Sequence, residues 1–173
     1  MSLRKSLPDA VRTCCDQLWP PCWTLLGWSL DLLPALFAEF WIPETVFHEV
    51  AVAGLGRPGA DALADARWTP HVRPSPELDP LLIDELDPGE AAVIALARSL
   101  SPCLAIIDEK RGRKIAHNVY GLPVKGTAGL LVEAHRCGLL DDVRTILVEL
   151  RRAGYYLSDA VIEAACKASE TSA

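Results

Sequence analysis

A short apolar run at residues 103–107, Cys-Leu-Ala-Ile-Ile, constrains the fold more than any other feature of the chain. Its apolar side chains do not alternate with polar ones, which is typical of a parallel strand that is buried on both faces. A helical stretch at 109–119 and a second short strand at 122–124 follow it. Strand and helix alternating in this way predict an α/β fold with a parallel sheet.

The stretch before this run, residues 88–100, predicts a helix that is apolar almost all round. We therefore expect it to be sandwiched between other elements rather than to lie on the surface. Trp41 and Ile42 predict another short strand, and Pro43 is typical of the first position of a helix that follows it. Apolar spacing, caps and glycines predict further helices at 30–40, before Gly138, from Asp141 or Asp142 to Gly154, and after Ser158.

The N-terminal part of the chain differs from the rest. Residues 14–41 contain four of the five tryptophans and three of the six cysteines, and residues 13–28 have neither a strand period nor a helix period. We therefore predict an atypical segment at 1–28, out of frame or disordered, one domain at 29–168, and a short tail at 169–173.

Charge and hydropathy exclude several classes of protein. With 17 basic and 23 acidic residues the net charge is −6, so contact with a nucleic acid requires a local basic patch. The longest uncharged stretch, residues 17–30, is shorter than a membrane span and is interrupted by Pro20, Pro21 and Gly27. The cysteines lack Cys-x-x-Cys spacing, which favours reduced thiols in a cytoplasmic protein without a membrane anchor.

Three acidic residues lie where elements are predicted to begin or end. Asp108 directly follows the buried strand, where open α/β sheets bind ligands, although it is equally placed to cap the helix at Glu109. Glu90 lies in Asp87-Pro-Gly-Glu90, a capping-box pattern in which the acid folds back onto its own helix. Glu49 lies at the edge of a predicted apolar helix face, and a solvated helix acid is the alternative there.

A basic cluster comes directly after Asp108: Lys110, Arg111, Arg113 and Lys114. Cations at a helix start oppose the helix dipole, so the cluster indicates an anionic ligand. The four histidines have no metal-ligand spacing, and the chain contains neither a glycine-rich phosphate loop nor a nucleophile elbow.

Several segments, taken in order, resemble a family of uncharacterised PIN-like proteins. They are Ile42-Pro-Glu-Thr-Val-Phe-His-Glu-Val50, Leu86-Asp-Pro-Gly-Glu-Ala-Ala-Val-Ile-Ala-Leu-Ala97, Ile106-Ile-Asp-Glu-Lys-Arg-Gly-Arg-Lys-Ile-Ala116, Val124-Lys-Gly-Thr-Ala-Gly-Leu-Leu-Val132 and Leu147-Val-Glu-Leu-Arg-Arg-Ala-Gly-Tyr-Tyr-Leu-Ser158. The resemblance spans roughly residues 29–165 and is strong only when the motifs are taken together.

The resemblance implies a three-layer α/β/α sandwich with a mainly parallel sheet, related to VapC-type toxin ribonucleases. It implies that Glu49, Glu90 and Asp108 are catalytic and hold Mg²⁺ or Mn²⁺, since such hard cations choose oxygen ligands. It also implies that Lys110, Arg111 and Arg113 bind an RNA backbone. An antitoxin protein and a second copy of the chain are the further partners that it suggests.

One departure from the family concerns the first strand. The family opens with an apolar strand that ends in an acid, whereas residues 13–22 here read Thr-Cys-Cys-Asp-Gln-Leu-Trp-Pro-Pro-Cys, with Asp16 near the expected position. Codons for this segment, shifted by one nucleotide, can encode the family pattern, so resequencing the coding DNA tests for a frame error. With the first strand degraded, we expect impaired or absent nuclease activity; the alternative is a non-catalytic module that binds RNA or a protein.

Overall fold

The computed structural model of the chain describes residues 12–15, 32–52, 63 and 65–171. Within these residues, five short strands form one parallel sheet in the order β3-β2-β1-β4-β5. The strands are β1 (Arg12–Cys15), β2 (Glu39–Pro43), β3 (Val72–Arg73), β4 (Cys103–Ile106) and β5 (Val124–Lys125). The predicted α/β class and the two strands foreseen around Trp41 and Leu104 are therefore confirmed.

The central strand β1 corrects the interpretation of the N-terminal segment. Residues 13–15 were expected to have no strand structure, yet the backbone of Arg12–Cys15 pairs in parallel with β2 on one side and β4 on the other. Cys15 lies opposite Ile106 in this register. Backbone hydrogen bonds to strands on both sides hold β1 in the sheet. The sequence of β1 lacks the side-chain period that would have predicted a strand. Asp16, and the rest of the segment up to residue 31, lie outside the described residues.

Helices connect and cover the strands. They are α1 (Leu32–Leu36), α2 (Glu44–Phe47), α3 (Pro80–Glu85), α4 (Pro88–Ser99), α5 (Lys110–Asn118), α6 (Thr127–Arg136), α7 (Val143–Arg152) and α8 (Asp159–Glu170), with a π-helical turn at His48–Val52 and a 3₁₀ helix at Ala66–His71. The helix predicted at 30–40 is shorter than expected, because Glu39 already belongs to β2.

Helix α4 is buried on every side, as its composition predicts. All residues from Gly89 to Ala97 are buried, and the helix packs on β1, β2 and β4. In β4, Ala105 and Ile106 are both buried. Because successive strand residues point to opposite faces, β4 is covered on both faces of the sheet, which agrees with the layered arrangement.

Side-chain caps and glycines fix the helix ends that the sequence predicts. Asp142 accepts the backbone N–H of Arg144 at 2.9 Å, and Ser158 accepts that of Val161 at 3.3 Å. Gly138 has a φ of 71° and Gly154 a φ of 98°, the left-handed region that glycine enters without strain. The caps and glycines of the C-terminal half therefore lie at the helix ends where the sequence predicts them.

Two further observations concern the cysteines and the length of the apolar helices. Cys103 and Cys166 are buried thiols, as predicted for cysteines within apolar elements. In the part of the chain that the structure describes, no helix has both the length and the apolar character needed to cross a bilayer.

Candidate functional site

Parallel pairing brings candidate residues to one edge of the sheet. Asp108 follows β4 and Thr127 follows β5, so both lie beyond the carboxyl ends of strands, whereas Glu49 lies in the π-helical turn after α2 with its Oε2 close to Gly89 in the first turn of α4. Helix α4 is connected to β4 by a short loop and packs against it, so its first turn, with Glu90, lies near the same edge. Ligands of open α/β sheets bind at this edge.

Glu90 is buried, and one of its two carboxyl oxygens has no hydrogen-bond partner among the described residues. Its side chain is 6 % exposed, and among the described residues its Oε1 has no partner. Half of the predicted capping box is present, because Asp87 Oδ1 accepts the Glu90 N–H at 2.9 Å. The return contact from Glu90 is not among the hydrogen bonds of the described residues, so capping does not explain why this acid is buried.

The surroundings of Glu90 and Glu49 favour their protonated forms. Burial, and then the charges of Asp87 and Glu109, raise the pKa of Glu90 to about 7, although the guanidinium of Arg113 acts in the opposite direction. Partial burial of its carboxyl, and then the charge of Asp87, also raise the pKa of Glu49. A divalent cation would relieve this repulsion, since it favours the ionised form of both acids.

Asp108 caps a helix other than its own. Its Oδ1 accepts the backbone N–H of Thr127, the first residue of α6, at 2.7 Å. Its Oδ2 accepts the hydroxyls of Thr127, at 2.5 Å, and of Tyr155. The hydrogen bonds that the Asp108 carboxylate accepts from the described residues come from Thr127 and Tyr155 and not from α5, so the alternative that it caps the helix at Glu109 is wrong.

Each of the three acids lies against a glycine. A Cβ on Gly89 would be 2.9 Å from Glu49 Oε2, and a Cβ on Gly126 would be 2.7 Å from Asp108 Oδ1. A Cβ on Gly112 would be 2.5 Å from Glu90 Oε1. The carboxyl groups of Glu90 and Asp108 thus occupy spaces that glycine leaves open. Glu49 is exposed, as the alternative of a solvated helix acid predicts, so its carboxyl can move away from an added Cβ.

The basic cluster divides into an outer and an inner part. Lys110 and Arg111 are exposed, and Arg111 forms an ion pair with Glu85. Arg113 is half-buried and donates to the main-chain carbonyls of Asp108 and, at 3.4 Å, Ile107. Arg113 therefore lies closer to the acids than the two outer residues do, and its charge acts on Glu90. That all three bind RNA stays a prediction.

The donor set suits a hard divalent cation. Glu49 and Glu90 supply carboxylate oxygens, and the unpartnered Oε1 of Glu90 is an acceptor that a cation would satisfy. Within the described ranges, no group of three or more acidic, histidine or cysteine side chains is close enough to enclose a metal. Mg²⁺ needs no such cage, since one or two carboxylates, water and substrate phosphates commonly complete its shell.

A family model described as a PIN domain matches residues 28–171 of the chain. The chain belongs to the PIN-domain family. No curated protein and no solved structure gives a significant match. The resemblance inferred from the sequence motifs is thus confirmed, and with it the α/β fold of a nuclease family whose members typically use divalent metal ions and bind nucleic acids.

Sequence patterns did not single out two residues of this PIN domain that contact Asp108. Thr127 and Tyr155 are 19 and 47 residues away from Asp108 along the chain. A buried threonine at the start of a helix after a strand is a weak signal for Thr127. Nothing in the local sequence distinguishes Tyr155 from its neighbour Tyr156.

Proposed function

We propose that the protein is a metal-dependent ribonuclease of the PIN type. The observation that supports this best is the buried carboxyl of Glu90, whose Oε1 has no partner among the described residues and whose pKa the charges of Asp87 and Glu109 help to raise. Such a group destabilises the fold unless it has a ligand. Glu49 and Asp108 lie at the same edge of the sheet, which gives a nuclease of this family the carboxylates that it needs.

Each residue has a defined part in this proposal. Glu49, Glu90 and Asp108 hold Mg²⁺ or Mn²⁺ as catalytic residues, while Lys110, Arg111 and Arg113 bind the RNA backbone. When bound, the cation supplies a Lewis acid and a water of lowered pKa for phosphodiester hydrolysis. Arg113 limits the repulsion at Glu90 through its positive charge. Lys110 and Arg111 attract phosphates at the exposed rim.

The proposal extends to the cellular role. The resemblance to VapC-type toxins supports the toxin of a toxin–antitoxin pair that acts on RNA in the cytoplasm, with an antitoxin protein and a second copy of the chain as partners. Purification of the chain with the product of an adjacent gene, followed by sizing of the complex, tests this extension. A nuclease that binds no such product and does not impair growth would contradict the toxin role.

Metal binding is the first prediction to test. We expect Mn²⁺ titration by calorimetry to give a saturable isotherm for the natural protein, and at least tenfold weaker binding for Asp108→Asn and Glu49→Gln. Loss of one carboxylate charge from a hard-cation site accounts for this effect. Asp142→Asn is the matched control, because Asp142 is an exposed helix cap away from the sheet edge.

One observation favours the alternative, a non-catalytic module that binds RNA or a protein. The carboxylate of Asp108 already accepts three hydrogen bonds within the protein, which suits a structural role. Such a module needs no divalent ion. A natural protein that binds RNA but gives no Mn²⁺ isotherm would therefore support the module and contradict the nuclease.

RNA binding provides the second prediction. We expect Lys110→Ala to weaken binding of a single-stranded RNA several-fold and to reduce the slope of log K against log salt by about 0.7, the value for one lost phosphate contact. Lys167→Ala, an exposed lysine in the last turn of α8, is the control. Equal salt slopes for both variants would exclude Lys110 from the interface.

A further inference from the structure

The carboxylate of Asp108 is held by donors from two distant elements. Thr127 contributes its backbone N–H to Oδ1 and its hydroxyl to Oδ2, and the Tyr155 hydroxyl also donates to Oδ2. The two hydroxyl oxygens are themselves 3.4 Å apart. Only the N–H bond is needed to cap α6, so the two hydroxyls add a constraint that capping does not explain.

Tyr155 is placed by a rigid helix end. Gly154 donates to the carbonyl of Arg151 at 3.1 Å, and Tyr155 donates to that of Leu150 at 3.0 Å. These two bonds and the φ of 98° at Gly154 form a Schellman motif at the end of α7. The ring of Tyr155 packs against the hydrophobic core, so its hydroxyl position is fixed by the backbone and by packing.

The hydrogen bonds leave a defined place for a cation. An ionised carboxylate offers about four acceptor positions, two on each oxygen. Both positions on Oδ2 are filled by hydroxyls, and one on Oδ1 is filled by the Thr127 N–H. The fourth position, on Oδ1, receives no hydrogen bond from the described residues. Donors that fix the rotation of a carboxylate in this way are typical of groups that orient metal ligands.

We propose that Tyr155 and Thr127 are positioning residues that turn Asp108 so that Oδ1 presents its open acceptor position to the divalent cation. This inference rests on the proposed metal-dependent function. Neither residue touches the cation; both act through Asp108. Tyr155 thereby connects the end of α7 to Asp108.

The neighbouring tyrosines provide a matched pair of variants. Tyr155→Phe removes only the hydroxyl that contacts Asp108, and Tyr156→Phe removes a hydroxyl from a side chain that is 93 % exposed. We expect the Mn²⁺ dissociation constant of Tyr155→Phe to rise about tenfold, in the range of other groups that orient metal ligands. The Tyr156→Phe value should equal that of the natural protein. Thermal unfolding in EDTA measures any purely structural loss separately.

Variants of Thr127 test the other hydroxyl that donates to Asp108. Thr127→Ser retains the hydroxyl and should bind Mn²⁺ as the natural protein does, whereas Thr127→Val should weaken binding about tenfold. Unchanged affinity in both Tyr155→Phe and Thr127→Val, with Mn²⁺ bound normally by the natural protein, would overturn this inference alone. A natural protein that binds no Mn²⁺ would overturn the proposed function together with it.

Discussion

Glu90→Gln is expected to stabilise the metal-free protein at pH 8 by up to about 3 kcal/mol and to weaken divalent-metal binding. The natural protein must ionise a buried carboxyl at this pH, and a rise of the pKa from 4.5 to about 7 corresponds to this free energy. Glutamine has nearly the same shape and carries no charge. A residue that costs stability while it supplies a ligand is typical of functional sites.

The pH dependence has a definite sign. Between pH 4.5 and about 7 the folded protein retains the proton on Glu90 while the unfolded chain has lost it. The contribution of Glu90 to the free energy of unfolding therefore falls as the pH rises through this window, and it is fully lost above pH 7. In Glu90→Gln this contribution is absent, so the stabilities of the two proteins should differ least below pH 4.5, and less at pH 5 than at pH 8.

Urea denaturation at pH 5 and pH 8 in EDTA measures the effect. Glu163→Gln is the control, because Glu163 is an exposed glutamate on α8 and its replacement should change the free energy of unfolding by less than about 0.5 kcal/mol. Added Mn²⁺ should then stabilise the natural protein but not Glu90→Gln. Equal stabilities of the two proteins at pH 8 would mean that Glu90 is solvated rather than buried.

Gly112→Ala is expected to destabilise the protein by about 1–3 kcal/mol and to weaken Mn²⁺ binding strongly. Alanine normally stabilises a helix relative to glycine by up to about 1 kcal/mol. Here the new Cβ would be 2.5 Å from Glu90 Oε1 and 2.9 Å from Ile107 Cγ2. Both side chains are buried, so neither can move away without cost, and overpacking of this kind outweighs the gain in helix propensity.

Gly129→Ala provides the control for this substitution. Gly129 also lies inside a helix, α6, but the atom nearest to its new Cβ would be Lys125 Cγ at 3.0 Å, on a flexible side chain. We expect this variant to unfold at the same temperature as the natural protein or slightly above it, with unchanged Mn²⁺ affinity. If Gly112→Ala has the same unfolding temperature and Mn²⁺ affinity as Gly129→Ala, the side chain of Glu90 has room to move and the expected clash is absent.

The candidate site could be predicted from the sequence only in part. Asp108 after a strand, Glu90 in a capping pattern and a basic run at a helix start are local signals, and they made these residues candidates from the sequence alone. Their partners were not predictable in this way. Asp108 caps α6 rather than α5 because β4 and β5 are neighbours in the sheet. The direction in which Arg113 points depends on the same packing.

The sequence by itself determined the elements whose signals lie within a few residues: the buried helix α4, strand β4, and the caps and glycines of the last three helices. Only the tertiary structure decided the central position of β1, because pairing with β2 and β4 gives Arg12–Cys15 a role that its side-chain pattern does not indicate. The tertiary structure also decided that Tyr155, not Tyr156, contacts Asp108. Hydrogen bonds between elements 47 residues apart depend on the packing of whole helices, which local sequence patterns do not encode.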